Sequence, residues 1–331
     1  MSTREPQGFE PASDWRPAAT RAALHRRAAM LARVRAFFAE RGVLEVETPT
    51  LSAGGVTDPQ IESLVSRVAG MPGEVSLTTS PEFAMKRLLA AGCGDIYQLG
   101  KVFRDGERGR WHNPEFTLLE WYRVGFDDAA LMSEVEALVG ELLAPERGLP
   151  AARRITYAEA MREYADVDPH RADDRELDSA ARRLGLECEA ALDRDAKLDL
   201  LMGLAVGPRL GRERPCFIFD YPASQASLAR LKPGLPPVAA RFELYLDGIE
   251  LCNGFHELAN PAEQRARFEH DLATRRARGQ VEPRLDERLL AALAAGIPDC
   301  AGVALGFDRL AAIALGATRL SEVMAFSIEN A

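Results

Sequence analysis

The chain has 331 residues and a formal net charge of −9, with 50 acidic against 41 basic side chains. That length is ample for one large domain with a sizeable core, and the acidic balance argues against a partner recognised through a long nucleic-acid backbone. Five scattered cysteines (Cys93, Cys188, Cys216, Cys252 and Cys300) never fall in a CxxC spacing, and no apolar run reaches membrane-spanning length, so a soluble cytoplasmic protein without a disulfide frame or zinc site is expected.

Residues 1–20 read as a loose, proline-dotted arm. From Thr20 to Arg41 the spacing of Leu24, Met30, Leu31, Val34, Phe37 and Phe38 predicts an amphipathic helix, with Gly42 following at the position of a left-handed cap. Next, Leu44 and Val46 alternate with Glu45 and Glu47 as in a half-buried strand that Pro49 ends. Taken alone this is an ordinary helix and strand. Ser80-Pro81-Glu82 opens a second helix that Gly92 stops, and Asp127 caps a third whose stripe is Leu131, Val135, Leu138 and Leu142. Residues 145–215 are charged, alanine-rich and helical in character, as in an insertion.

Between Arg241 and Glu257, Asp247-Gly248 separates two alternating runs and predicts a two-residue hairpin. Pairing Leu246 with Ile249 puts Glu243 and Glu250 on one face. Two such carboxylates without a basic neighbour repel one another, and a hard divalent cation such as Mg²⁺, also bound to phosphates, would resolve the repulsion. Read alone, both glutamates could equally sit solvated on an open sheet face. Glu257 follows Asn253-Gly254-Phe255, an aromatic setting in which a carboxylate calls for an ammonium partner; Glu120 and Tyr122 are candidates to join it, although Glu120-Trp121-Tyr122 in isolation is a buried strand end. Two arginines stand out. Phe103-Arg104 precedes the polar run His112-Asn113-Pro114-Glu115-Phe116, and Arg309 closes the glycine-bearing Gly302–Arg309 segment. Fixed guanidinium groups suit a reaction at the α-phosphate of ATP. There is no Walker loop or dinucleotide fingerprint, and the histidines do not cluster; His112 and His256 are read as local hydrogen-bonding residues.

The two arginine segments resemble motifs two and three of class II aminoacyl-tRNA synthetases, and the helix and strand through Gly42–Pro49 resemble motif one. From about residue 20 onward the chain is similar to the core of lysyl-tRNA synthetase, and most of all to its shortened paralogues, the elongation factor P–lysine lysyltransferases. Ser80-Pro81-Glu82, Met85–Leu89, His112–Thr117, Pro222–Leu228 and Pro298–Gly302 carry that likeness. The resemblance implies an α+β fold, a mainly antiparallel sheet flanked by helices, in one catalytic domain over residues 21–331 that forms a homodimer. With motif one under way by residue 42, no anticodon-binding domain is expected. The implied activity is ATP-dependent activation of (R)-β-lysine or lysine as an aminoacyl-adenylate and its transfer to a lysine ε-amine of elongation factor P, with Mg²⁺ and without tRNA.

Carried over residue by residue, the resemblance puts Arg104 on the α-phosphate, Asn113 at the nucleotide, and adenine between Phe116 and Arg309. Asp105, Gly106, Glu107, Glu250, Leu251 and Gly306 complete the ATP site, and Glu243 and Glu250 take Mg²⁺. Glu257, Glu120 and Tyr122 receive the substrate's ε-ammonium, while Ser80, Pro81, Glu82 and Asn253 surround its other end. Ala304 stands where true synthetases usually have glycine, and its methyl is expected to favour a displaced amino group, as in (R)-β-lysine. Motif two departs from arginine-asparagine-glutamate: Gly106 holds the place of the acid, so Glu107 or the loop backbone must supply that contact. An ammonia-using asparagine synthetase and a non-catalytic regulatory paralogue are the rival readings.

Overall fold

The computed structural model describes residues 15–145, 147–187 and 192–331. Most of the expected arm, Glu146 and residues 188–191, with Cys188, lie outside them.

Helix α1 (Arg21–Glu40) forms where its periodicity predicts: the Thr20 hydroxyl accepts from the Ala23 amide at 3.1 Å, and Gly42, at φ 67°, lets the chain turn away. After β1 (Leu44–Glu45), a small antiparallel sheet is built from β2 (Leu51–Ser52), β3 (Val65–Ser66) and β4 (Val75–Leu77). Then come α2 (Glu82–Ala90), β5 (Ile96–Phe103), β6 (Glu115–Val124) and α3 (Asp128–Leu143), whose predicted stripe is fully buried. The expected insertion holds β7 (Arg153–Thr156), α4 (Tyr157–Ala165), α5 (Asp174–Arg183) and α6 (Arg194–Leu201). The chain continues through β8 (Cys216–Pro222), β9 (Leu231–Lys232), β10 (Val238–Leu246), β11 (Ile249–His256), α7 (Pro261–Ala277), α8 (Glu287–Ala295), β12 (Cys300–Gly306) and α9 (Phe307–Ala314).

The remaining strands form the main sheet in the order β1-β5-β6-β12-β11-β10-β8-β7, with β9 also on β10; only the pairs β1–β5 and β7–β8 are parallel. The α+β, mainly antiparallel architecture is therefore as expected. One face is dry: Leu119, Trp121, Val303, Leu305 and Leu244 pack on Phe38, Val135 and Leu310 from α1, α3 and α9. On the other face, register sets a polar row of neighbours, Gln98, Glu120, Ala304, Asn253 and Glu243, across five strands. Helices α4, α5 and α6 pack in one cluster with Ile218, Ala239 and Tyr245 at one end of that sheet.

After α1 one position departs from the expected alternation: Leu44 faces outward, while Glu45 and Glu47 are exposed and Val46 is partly buried as expected. Val43 is buried beside Phe38, and Leu44 is 53% exposed. Only two residues pair with β5, so helix packing, through the Val43 amide's bond to the Phe38 carbonyl, sets the phase rather than a long ladder.

Candidate active site

The hairpin turns through Asp247 and Gly248 at φ 54° and 77°, with Leu246 opposite Ile249 and Tyr245 opposite Glu250, so Glu243 and Glu250 do share a face. Just beyond, the register slips: Leu244 pairs with Cys252 and Glu243 with Asn253. In a regular strand Glu250 and Asn253 would point to opposite faces. The bulge puts Glu250, Asn253 and Phe255 together on the cavity wall.

The premise that the two glutamates lack a basic neighbour does not hold. Arg241 Nη2 lies 2.6 Å from Glu243 Oε1, and the Tyr245 hydroxyl donates to Oε2 at 2.7 Å. Glu243 is 6% exposed and already neutralised, whereas Glu250 lines the cavity. Among the described residues no group of three or more His, Cys, Asp or Glu side chains is arranged to hold a metal ion.

A cavity of about 910 Å³ opens over the polar face. At one end stand Arg104, Glu107, Trp111, Phe116, Glu250 and Arg309. Arg309, in the first turn of α9, donates to the carbonyls of Glu250 at 2.9 Å and Trp111 at 3.3 Å, and to His112 Nε2 at 2.8 Å. Burial and the Arg309 charge push the His112 pKa down, so the imidazole is neutral and accepts that bond. The adjacent Asp308 is 2% exposed; it accepts from the Thr117 amide at 2.7 Å and pairs with Arg27 at 2.5 Å. That triad ties α1, β6 and α9 together, and no local pattern marks Arg27. Arg104 donates to the Thr79 carbonyl at 3.3 Å and lies 5.1 Å over the Phe116 ring.

Motif two differs in detail from expectation. Asp105 and Gly106 make the turn, with Gly106 at φ 75° and its amide on the Asp105 carboxylate, and neither reaches the cavity wall. Glu107 does reach it, 3.4 Å from His112. A side chain at 106 would be strained in that backbone conformation. Asn113 lines the cavity, but its amide is engaged within the protein, donating to the Glu115 carbonyl and accepting from the Ile328 amide. Leu251 and Gly306 line the wall.

At the other end, Ser80, Pro81, Glu82, Asn253 and Ala304 form the wall. Ser80 donates to Glu120 at 2.7 Å and caps the Glu82 amide at 3.0 Å; Tyr122 donates to the second Glu120 oxygen at 2.8 Å. Glu120, Tyr122 and Glu257 are buried next to this wall rather than part of it. The ammonium expected beside Glu257 is supplied by the protein itself: Lys86 Nζ lies 2.6 Å from Glu257 and 2.7 Å from Glu82. The sequence reading gave Lys86 no role, although Glu82 and Lys86 stand at i,i+4 on one helix, a spacing that pairs opposite charges.

Three carboxylates and one ammonium leave the cluster short of positive charge. Burial, reinforced by the neighbouring carboxylates, pushes Glu120 up to about 8. Burial likewise raises Glu257, with Lys86 opposing it, to about 7. Gly302 makes room for the group: a Cβ there would lie 2.3 Å from Tyr122 Cε1 and 2.6 Å from Glu257 Oε1. Asn253 Oδ1 is buried without a hydrogen-bond partner among the described residues.

An antiparallel sheet that presents one arginine from a strand end and another from a helix's first turn over a nucleotide-sized cavity defines a class II synthetase core. Residues 10–330 match the class II tRNA synthetases of the D, K and N type, and the chain belongs to that family. It is 51% identical over 326 residues to the elongation factor P–(R)-β-lysine ligase of Vibrio cholerae serotype O1, a match spanning 96% of this chain and 99% of that protein.

Proposed function

We propose that this protein is an ATP-dependent ligase that activates (R)-β-lysine, or lysine, and transfers it to the ε-amine of a lysine on elongation factor P. The observation that carries the reading is the buried Glu82–Glu120–Glu257 cluster, which holds one ammonium of its own and favours another, beside a cavity lined by Arg104 and Arg309. Similarity to the Vibrio cholerae ligase supports both substrate and acceptor.

In the first step an oxygen of the amino-acid carboxylate attacks the α-phosphorus; the bond to the β-phosphate oxygen breaks and pyrophosphate leaves. Alignment and charge stabilisation suffice, and Arg104 and Arg309 supply them without a general base. In the second step the acceptor amine attacks the acyl carbon, loses a proton and releases AMP. Glu82 and Asn253 face the cavity at the substrate's end, and the Ala304 methyl between Glu120 and Asn253 is the specificity element toward the β-amino isomer. Phe116 and Arg309 are the adenine contacts.

Glu250, on the cavity wall, fits a Mg²⁺ ion held mainly by ATP phosphates; Glu243 would join it only by releasing Arg241. Such an ion would neutralise phosphate charge. The exposed Leu44 edge and α1 form the homodimer contact in this reading, and the cytoplasm is the compartment; no described helix is long and apolar enough to cross a membrane. An asparagine synthetase would need a free cation for an aspartate side chain, whereas Lys86 is already shared by two carboxylates.

Incubation with ATP, labelled β-lysine and either elongation factor P or total tRNA tests the assignment. Label is expected on the protein and little on tRNA, since the net charge of −9 offers no backbone-binding field. Efficient label on tRNA alone would refute the acceptor.

A further inference from the structure

Lys86 is 1% exposed, and its ammonium lies between a carboxylate on the cavity wall, Glu82, and one buried next to it, Glu257. We propose that Lys86 is a positioning residue of the amino-acid site: it keeps Glu82 and Glu257 ionised and aimed, so that each presents its other oxygen to an amino group of a lysine-like substrate. This rests on the function proposed above.

The geometry supports the division of labour. Lys86 contacts Glu82 Oε1 and Glu257 Oε2, which leaves Glu82 Oε2 and Glu257 Oε1 without a cation; Glu257 Oε1 packs close against Gly302, where a Cβ would lie 2.6 Å from it. Both Glu120 oxygens are already bonded, to Ser80 and Tyr122. The charged and titratable groups around the pair are Glu82 on α2, Glu120 and Tyr122 on β6, Cys300 on β12, and Arg230, whose Nε donates to the Glu257 carbonyl and whose other end pairs with Asp299. Burial alone would lower the Lys86 pKa, but Glu257 and Glu82 outweigh it and hold the ammonium charged throughout the physiological range. A neutral side chain of the same length would leave Glu82 and Glu257 facing one another across a dry gap, and the easiest relief is for Glu257 to take a proton. A protonated Glu257 would no longer attract a substrate ammonium.

Lysine-dependent pyrophosphate exchange, measured across pH for the wild type and Lys86→Met, tests this. In the wild type kcat/KM for lysine should rise through the neutral range as Glu257 and Glu120 ionise. In Lys86→Met the apparent KM for lysine should increase about tenfold or more, the KM for ATP should change far less, and the rising limb should move about one pH unit upward. An unchanged limb, or equal losses for lysine and ATP, would overturn the proposal. A wild-type measurement, independent of whether Lys86→Met folds, stands beside it: calorimetry of lysine binding at about pH 7.5 in buffers of different ionisation enthalpy should show release of no more than about one proton, that of Glu120. Release of about two would mean that Glu257 is protonated despite Lys86, and would equally overturn the idea. A wild type without lysine-dependent exchange or lysine binding would instead remove the functional reading beneath it.

Discussion

Arg309 is held by the Glu250 and Trp111 carbonyls and by a neutral His112, so its guanidinium is oriented before any nucleotide arrives. Three directional bonds of this kind need a planar fork, and a lysine cannot reproduce them. Arg309→Lys should therefore lose nearly as much as Arg309→Ala: about 10²-fold or more in the rate of pyrophosphate exchange, with the melting temperature little changed. Near-normal exchange in Arg309→Lys would show that only charge matters there. Glu107 illustrates a second point at this scale. After the backbone reversal at Gly106, Glu107 comes near this cationic end of the cavity, since it supports the charge on Arg104 and stands 3.4 Å from His112.

Among the elements, β12 is the narrowest constraint. It runs between β6 and β11, with Gly302 flanked by Tyr122 and Phe255, and Ala304 by Glu120 and Asn253. Gly302→Ala would drive a methyl into Tyr122 and Glu257 on the polar face. The expected outcome is a rise of about tenfold or more in the KM for lysine with nucleotide binding preserved, since overpacking forces the Tyr122 ring off its position. Equal weakening of both ligands, measured by titration of each alone, would point to distortion of the whole sheet. The bulge in the β10–β11 pair is the complementary device, because it alone lets Asn253 and Phe255 share the face of Glu250.

Across the whole molecule, the buried carboxylate cluster links stability to pH. In the folded protein Glu120 and Glu257 have pKa values near 8 and 7, whereas in the unfolded chain both are ordinary glutamates. The folded state therefore binds more protons between those limits, and stability falls as pH rises from about 5 to about 8. Lysine should reverse the trend at the alkaline end by supplying the missing cation. Thermal scans from pH 5 to about 8.5, with and without lysine, should show a falling Tm that lysine flattens. A Tm that climbs with pH in the ligand-free protein would contradict the raised carboxylates.

Much of this protein is legible in its residues. Thr20 and Gly42 mark the ends of α1, Asp127 and its leucine stripe mark α3, and Asp247-Gly248 marks the hairpin, because caps, periodicity and positive-φ turns act over a few residues. Arg104, Arg309 and Glu250 stand out from local patterns, Glu82 and Asn253 from the family resemblance, and the fold brings all five to one cavity. What local pattern could not reveal depends on groups distant in the chain. Arg27 reaches Asp308 from the opposite end of the sequence, whereas Arg241, two residues from Glu243 on the same strand face, and Phe38, five before Val43, are local partners that periodicity alone does not single out. Lys86 is the clearest case. Its spacing from Glu82 is local, but its meeting with Glu257 requires α2 to pack across the end of β11, and only that packing decides which carboxylates hold a charge and which remain for a substrate.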